Sequence, residues 1–144
     1  MTMATILVVD DDAGVRKFIS STLKNTGFTV LDTGRAEQAL SLIAGRSGGI
    51  DLAVIDMSMP GMSGLDLAAE LERVRSPIQV LFVSGHRDSI AMESIALRSP
   101  RQVLLKPFSD DALAGRVVEL LSNPMRKGPS SVANLDECAA SRAS

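Results

Sequence analysis

The sequence predicts an α/β fold: one doubly wound, five-stranded parallel sheet with five helices on its two faces. Three observations predict it. Short apolar runs alternate five times with helical patterns, the mark of a parallel sheet with crossover helices. Several of those runs stop on a polar or charged residue, at Asp10, Asp56, Ser84 and Lys106. A chain of 144 residues, 45% of them hydrophobic, has room for one domain with a full core.

The first strand is Ile6-Leu7-Val8-Val9, too short for a helix and rich in β-branched residues. It runs into Asp10-Asp11-Asp12. In the helix that follows, Val15, Phe18, Ile19, Thr22 and Leu23 share one face. Asp12 is placed to cap its start, and Gly27 to end it in a left-handed turn. Residues 28–31 form a second strand. Ala36, Ala39, Leu40 and Ile43 mark the next helix, which stops near Gly45 before a polar loop at 46–49. Residues 52–55 form the third strand, which ends on Asp56 and opens a loop with Pro60, Gly61 and Gly64.

Ser63 with Asp66 three residues on resembles a capping box. Leu67, Ala68, Leu71 and Val74 give the third helix its apolar face, and Pro77 stops it. Residues 79–83 form the fourth strand, ending on Ser84-Gly85. A less regular pattern with Ile90, Ala91 and Ile95 marks a helix over 89–97. Residues 103–105 form the fifth strand, ending on Lys106-Pro107. Ser109 caps a last helix that carries Leu113, Val117, Leu120 and Leu121 on one face. From residue 123 the composition shifts to Pro, Gly, Ser, Ala and charge. The domain is therefore expected over 4–122, with a disordered tail over 123–144.

Composition excludes several functions. The net charge of −2, from 15 basic and 17 acidic residues, gives no overall pull toward nucleic acid or membrane. No apolar stretch approaches a membrane span, and no signal-peptide pattern opens the chain, so the cytoplasm is the expected compartment. A single Cys138 excludes an intrachain disulfide framework, and with one His86 there is no zinc set.

In a parallel sheet the carboxyl ends of the strands share one edge, and ligands bind just outside it. Asp10, Asp11, Asp56, Ser84 and Lys106 therefore converge from distant parts of the chain. Three crowded carboxylates repel one another unless cations balance them. Lys106 provides one positive charge, and a hard divalent ion would provide the rest. Oxygen ligands suit magnesium, for which manganese substitutes.

A carboxylate flanked by a divalent ion and an ammonium is a site for phosphoryl transfer. Asp56 is the candidate nucleophile and becomes an acyl phosphate. Asp11, with Asp10 and Asp56, is the candidate metal holder, and the backbone carbonyl of Ser58 is placed to complete the metal shell. The Ser84 hydroxyl can donate to a phosphoryl oxygen. Each residue has an ordinary reading when taken alone. The three leading acids make a turn and a helix cap, Asp56 is a loop acid, Ser84 is a small residue after a strand, and Lys106 is a surface lysine. Together those readings require four coincidences at one sheet edge.

The chain resembles the receiver domain of the bacterial two-component response regulators. The residues that carry the resemblance are Ile6 to Asp12, Asp51 to Gly64, Phe82-Val83-Ser84-Gly85 and Leu105-Lys106-Pro107-Phe108, in order and at domain-like spacing over about residues 4–122. The resemblance implies a flavodoxin-like sheet in the order 2-1-3-4-5. It implies phosphorylation of Asp56 by a histidine kinase or phosphotransfer protein with magnesium, and a cis Lys106–Pro107 bond. It further implies that Ser84 is drawn toward the phosphate. The surface of the fourth helix, fifth strand and fifth helix then changes for a downstream protein partner to read. Such a domain is a monomer or a phosphorylation-dependent dimer.

The chain departs from the family at Val103, where an aromatic residue or His is usual, so the usual aromatic switch is absent or relocated. Residues 123–144 are too few for a DNA-binding module, so output is expected through protein contact or phosphate relay. Three other readings compete. One is a receiver-like interaction module that is not phosphorylated, and another is the receiver fragment of a hybrid histidine kinase or larger regulator. The third is an enzyme on a similar fold. An aspartate-nucleophile phosphohydrolase would carry a second acid where Ser58 stands, and a flavin carrier would not place three acids in its phosphate loop. Self-catalysed phosphotransfer and slow dephosphorylation, not substrate turnover, are the expected chemistry.

Overall fold

Side chains along the first strand, β1 (Thr5–Val9), alternate between two separate cores. Leu7 and Val9 enter one, Ile6 and Val8 the other, and all four are fully buried. A strand buried on both sides needs helices on both faces of its sheet. The computed structural model describes residues 4–46, 49–57, 59, 61–74, 78–85 and 102–122. After β1 come α1 (Ala13–Thr26), β2 (Thr29–Thr33), α2 (Ala36–Ala44) and β3 (Leu52–Asp56). Then follow α3 (Gly64–Val74), β4 (Gln79–Ser84), β5 (Val103–Leu105) and α4 (Asp110–Ser122). The helix expected over 89–97 and the tail over 123–144 lie outside the described residues.

The five strands make one parallel sheet in the order β2-β1-β3-β4-β5, the flavodoxin-like arrangement. On one face, Ala39 and Ile43 of α2 and Leu67 and Leu71 of α3 pack with Leu7, Ile55 and Phe82. On the other, Ile19 and Leu23 of α1 and Leu113 and Val117 of α4 pack with Val8, Val54 and Leu81. Burial of such side chains contributes roughly 1.5–3 kcal/mol each before entropy is counted.

Local signals set the helix ends. Val15 N donates to Asp12 Oδ1 at 3.1 Å, so Asp12 caps α1. Gly27 closes α1 at φ 113°, a conformation that costs a side-chain-bearing residue energy. Phe28 N then donates to Leu23 O at 3.0 Å, which spends its donor on the helix end. That is why β2 begins at Thr29 and not at Phe28. Ser63 Oγ accepts from Asp66 N at 3.2 Å and Ser109 Oγ from Ala112 N at 3.1 Å, capping α3 and α4.

Two apolar assignments are corrected. Phe18 is 41% exposed and Val74 is 43% exposed, so neither belongs to the core. The buried stripe of α3 is Gly64, Leu67, Ala68, Leu71 and Glu72, which are the i, i+3, i+4, i+7 and i+8 positions of one helical face. An acid thus occupies the last core position of α3. Among the described residues, no helix is long and apolar enough to cross a membrane.

Candidate functional site

The register of the sheet brings the strand ends level. Val9 pairs with Thr33 and Ile55, Asp56 with Val83, and Ser84 with Leu105. The ladder runs one residue beyond several strands. Asp10 N donates to Thr33 O at 3.2 Å, Met57 N to Val83 O at 3.0 Å, and Lys106 N to Ser84 O at 2.8 Å. The main chain at or next to each polar side chain is therefore held by backbone bonds, and loop geometry has little to decide.

One carboxylate oxygen each from Asp10, Asp11 and Asp56 lie within 4.8 Å of one another. Asp10 and Asp56 are buried, and Asp11 is exposed. Lys106 Nζ stands 3.3 Å from Asp10 Oδ2 and 3.8 Å from Asp56 Oδ1. Its stem is largely covered, with 23% of the side chain exposed. Asp10 Oδ1 accepts from Asp12 N at 2.9 Å, whereas its Oδ2 is buried without a hydrogen bond. A buried carboxylate oxygen with spare lone pairs, beside two further carboxylates, suits a hard cation. The donor chemistry of Asp10, Asp11 and Asp56 thus fits magnesium.

Ser84 is buried at the end of β4, on the same sheet edge. The Lys106–Pro107 peptide bond is cis. Ser58 lies outside the described residues. Asp51 takes a different place: its Oδ2 accepts from Thr5 N at 2.8 Å, at the opposite edge of the sheet, so its role there is structural.

Three residues that sequence reasoning did not single out for the site shape it. Gly64 begins α3 directly against the main chain of Asp56 and Met57. Arg16 of α1 donates from Nη1 to the Asp10 carbonyl at 2.8 Å. Gly34, after β2, leaves room for that guanidinium. Gly64 lies in the Asp51–Gly64 motif, but its contact with Asp56, like those of Arg16 and Gly34, arises only when separate elements meet. Beside Lys106 there is also an apolar cavity of about 270 Å³, lined by Gly14, Val15, Phe18, Pro107 and Phe108.

The chain is thus a flavodoxin-like domain with a carboxylate-centred site, three acids and Lys106 at the carboxyl edge of its sheet. The family model for the response regulator receiver domain matches residues 6–118, and the chain belongs to that family. It is 33% identical to the sensor kinase CckA of Brucella abortus, over 82% of this chain and 12% of that protein. It is 34% identical to the transcriptional regulatory protein FixJ of Bradyrhizobium diazoefficiens, over 81% of this chain and 56% of that protein. The chain therefore spans less than two thirds of these curated relatives. Among solved structures, the receiver domain of a Francisella response regulator matches with a TM-score of 0.70 and 30% identity. That match covers 85% of this chain and 99% of that one.

Proposed function

We propose that the chain is the phosphoacceptor of a two-component system, phosphorylated on Asp56 by a histidine kinase or phosphotransfer protein. The observation that carries this reading is the convergence of Asp10, Asp11 and Asp56, with Lys106 Nζ beside Asp10 and Asp56. A carboxylate oxygen of Asp56 attacks the donor's phosphorus. A P–O bond forms to Asp56 as the bond from phosphorus to the donor nitrogen breaks, and the electron pair leaves with that nitrogen. Lys106, within ion-pair reach of Asp56, offsets charge on the phosphoryl oxygens. Asp10, Asp11 and Asp56, with the Ser58 carbonyl, would hold magnesium, which would supply positive charge to the phosphoryl oxygens.

The Ser84 hydroxyl then donates to a phosphoryl oxygen, and the changed sheet edge is read by a protein partner or relayed as phosphate. β5 and α4 each present an exposed apolar side chain, Leu105 and Val118, suited to that contact. The apolar cavity lined by Phe18 and Phe108 opens beside Lys106, where a donor protein has to approach.

The test is incubation with magnesium and a small acyl or amido phosphate, read by intact mass. One phosphoryl adduct on the wild-type chain, absent from Asp56→Ala, is the expected result. An unmodified wild type, or an adduct that persists in Asp56→Ala, would overturn the proposal in favour of an unphosphorylated interaction module.

A further inference from the structure

Asp10 is held from behind by a second group of residues that never reaches the carboxylate cluster. Arg16 lies one turn into α1, with its side chain 25% exposed. Its Nη1 donates to the main-chain carbonyl of Asp10 at 2.8 Å, and its Nε stands 3.6 Å from Asp32 Oδ1 on β2. Asp32 is itself anchored, because its Oδ2 accepts from Ser20 Oγ at 3.0 Å. Ser20 is buried on α1 one turn beyond Arg16, so both ends of the Arg16–Asp32 pair are fixed to the same helix.

Gly34 completes the arrangement. A Cβ on Gly34 would stand 2.6 Å from Arg16 Nη1 and 3.5 Å from the Asp10 carbonyl oxygen. No side chain fits there with the guanidinium in place. The blocked atom is the tip of a long side chain and not backbone, so an added methyl group would push the guanidinium away and leave the strands intact.

The bonded carbonyl belongs to the peptide unit joining Asp10 to Asp11. That unit is planar, so holding its oxygen sets the direction of the Asp11 N–Cα bond as well. Asp10 N is already bonded to Thr33 O at 3.2 Å, and Asp10 Oδ1 to Asp12 N at 2.9 Å. Asp11 is the exposed member of the cluster. Asp32 balances the charge of Arg16, so Arg16 acts through geometry and does not serve as a further counter-ion.

We infer that Arg16, seated between Asp32 and the bare backbone of Gly34, is a positioning residue. It fixes the Asp10–Asp11 peptide and thereby sets the divalent-cation affinity of the site. This rests on the metal site proposed above. Outer-sphere partners that orient ligands are typically worth about 10–100-fold in metal affinity. Manganese affinity of the full chain, read by electron paramagnetic resonance well below every melting temperature, tests it. Arg16→Ala and Gly34→Ala should each weaken binding by about 10-fold. The double variant should be no weaker than Arg16→Ala, because Gly34 acts through Arg16. Ile19→Val, a core change on the same helix, should bind as the wild type does.

Wild-type affinity in both clamp variants overturns the inference and leaves the phosphoacceptor reading standing. So does a loss that follows melting temperature and includes Ile19→Val, or losses that add in the double variant. A wild type that binds no manganese overturns both the inference and the metal site on which it rests.

Discussion

Gly64 lies so close to Asp56 that a Cβ on it would stand 2.7 Å from the Asp56 carbonyl oxygen and 2.9 Å from Met57 Cα. Gly64 N donates to Met57 O at 3.2 Å, which draws the start of α3 onto the end of β3. The same contact that seats the helix also seats the candidate phosphorylation site.

Gly64→Ala should therefore destabilise the fold. Replacing glycine by alanine inside a helix ordinarily stabilises by about 0.8–1.0 kcal/mol. Here overpacking against backbone should outweigh that gain and leave a net loss of about 1–3 kcal/mol. Chemical denaturation reads the sign directly. A more stable variant would show that α3 can retreat without cost. The rate of phosphorylation by a small donor should fall as well, since Asp56 is displaced.

Val103 and Phe82 face each other across β5 and β4, and both belong to the buried cluster that also holds residues of α2 and α3. Phe82 is fully buried and Val103 is 9% exposed. The aromatic volume in this part of the core is thus carried by β4. Val103→Phe should overpack it and cost about 1–3 kcal/mol. A variant as stable as the wild type would mean that space for an aromatic side chain exists at 103 after all.

Glu72 gives the fold a pH dependence of unusual sign. Burial pushes its carboxyl up from 4.5 to about 8, and its Oε2 has no hydrogen bond. The folded chain therefore binds a proton that the unfolded chain releases between those values. This contribution to stability is fully present below pH 4.5 and is lost as pH rises toward 8. Glu72→Gln keeps the shape and removes the titration. Its advantage over the wild type should grow across that window and reach about 1–3 kcal/mol above pH 8. Melting curves of both proteins at several pH values decide it, and a difference independent of pH would contradict the assignment.

Phe18 is 41% exposed, with its ring centroid 6.1 Å from that of Phe108 in a tilted pair. It lines the apolar cavity beside Lys106. Phe18→Ala should cost about 1 kcal/mol of stability or less, because the ring is only partly buried. Phosphorylation by a small donor should be unchanged, whereas transfer from a phosphodonor protein should slow about 10-fold, an interface contact of ordinary worth. Equal slowing with both donors would place Phe18 in the chemistry and not in docking.

Much of this molecule was legible in the residue order. Parallel alternation, the strand-end acids Asp10, Asp11 and Asp56, the Lys106-Pro107 turn and the caps at Asp12, Ser63 and Ser109 are local patterns. A strand has a period of two and a helix of 3.6, and a cap needs one side chain near its own helix. Such features are written within a few residues of each other, so the sequence by itself determined the fold class, the sheet edge that carries the site and the identity of its charged groups.

Only the tertiary structure decided which backbone atoms those groups lean on. Gly64 is required by the main chain of Asp56, and Gly34 by the tip of Arg16, which reaches the carbonyl of Asp10. Glu72 was turned inward and Phe18 outward by the way whole helices lie on the sheet. These contacts join segments distant in the chain at van der Waals and hydrogen-bond range, where a few tenths of an ångström set the sign. Residue type and spacing carry no record of such distances, because packing fixes them only after every element is in place.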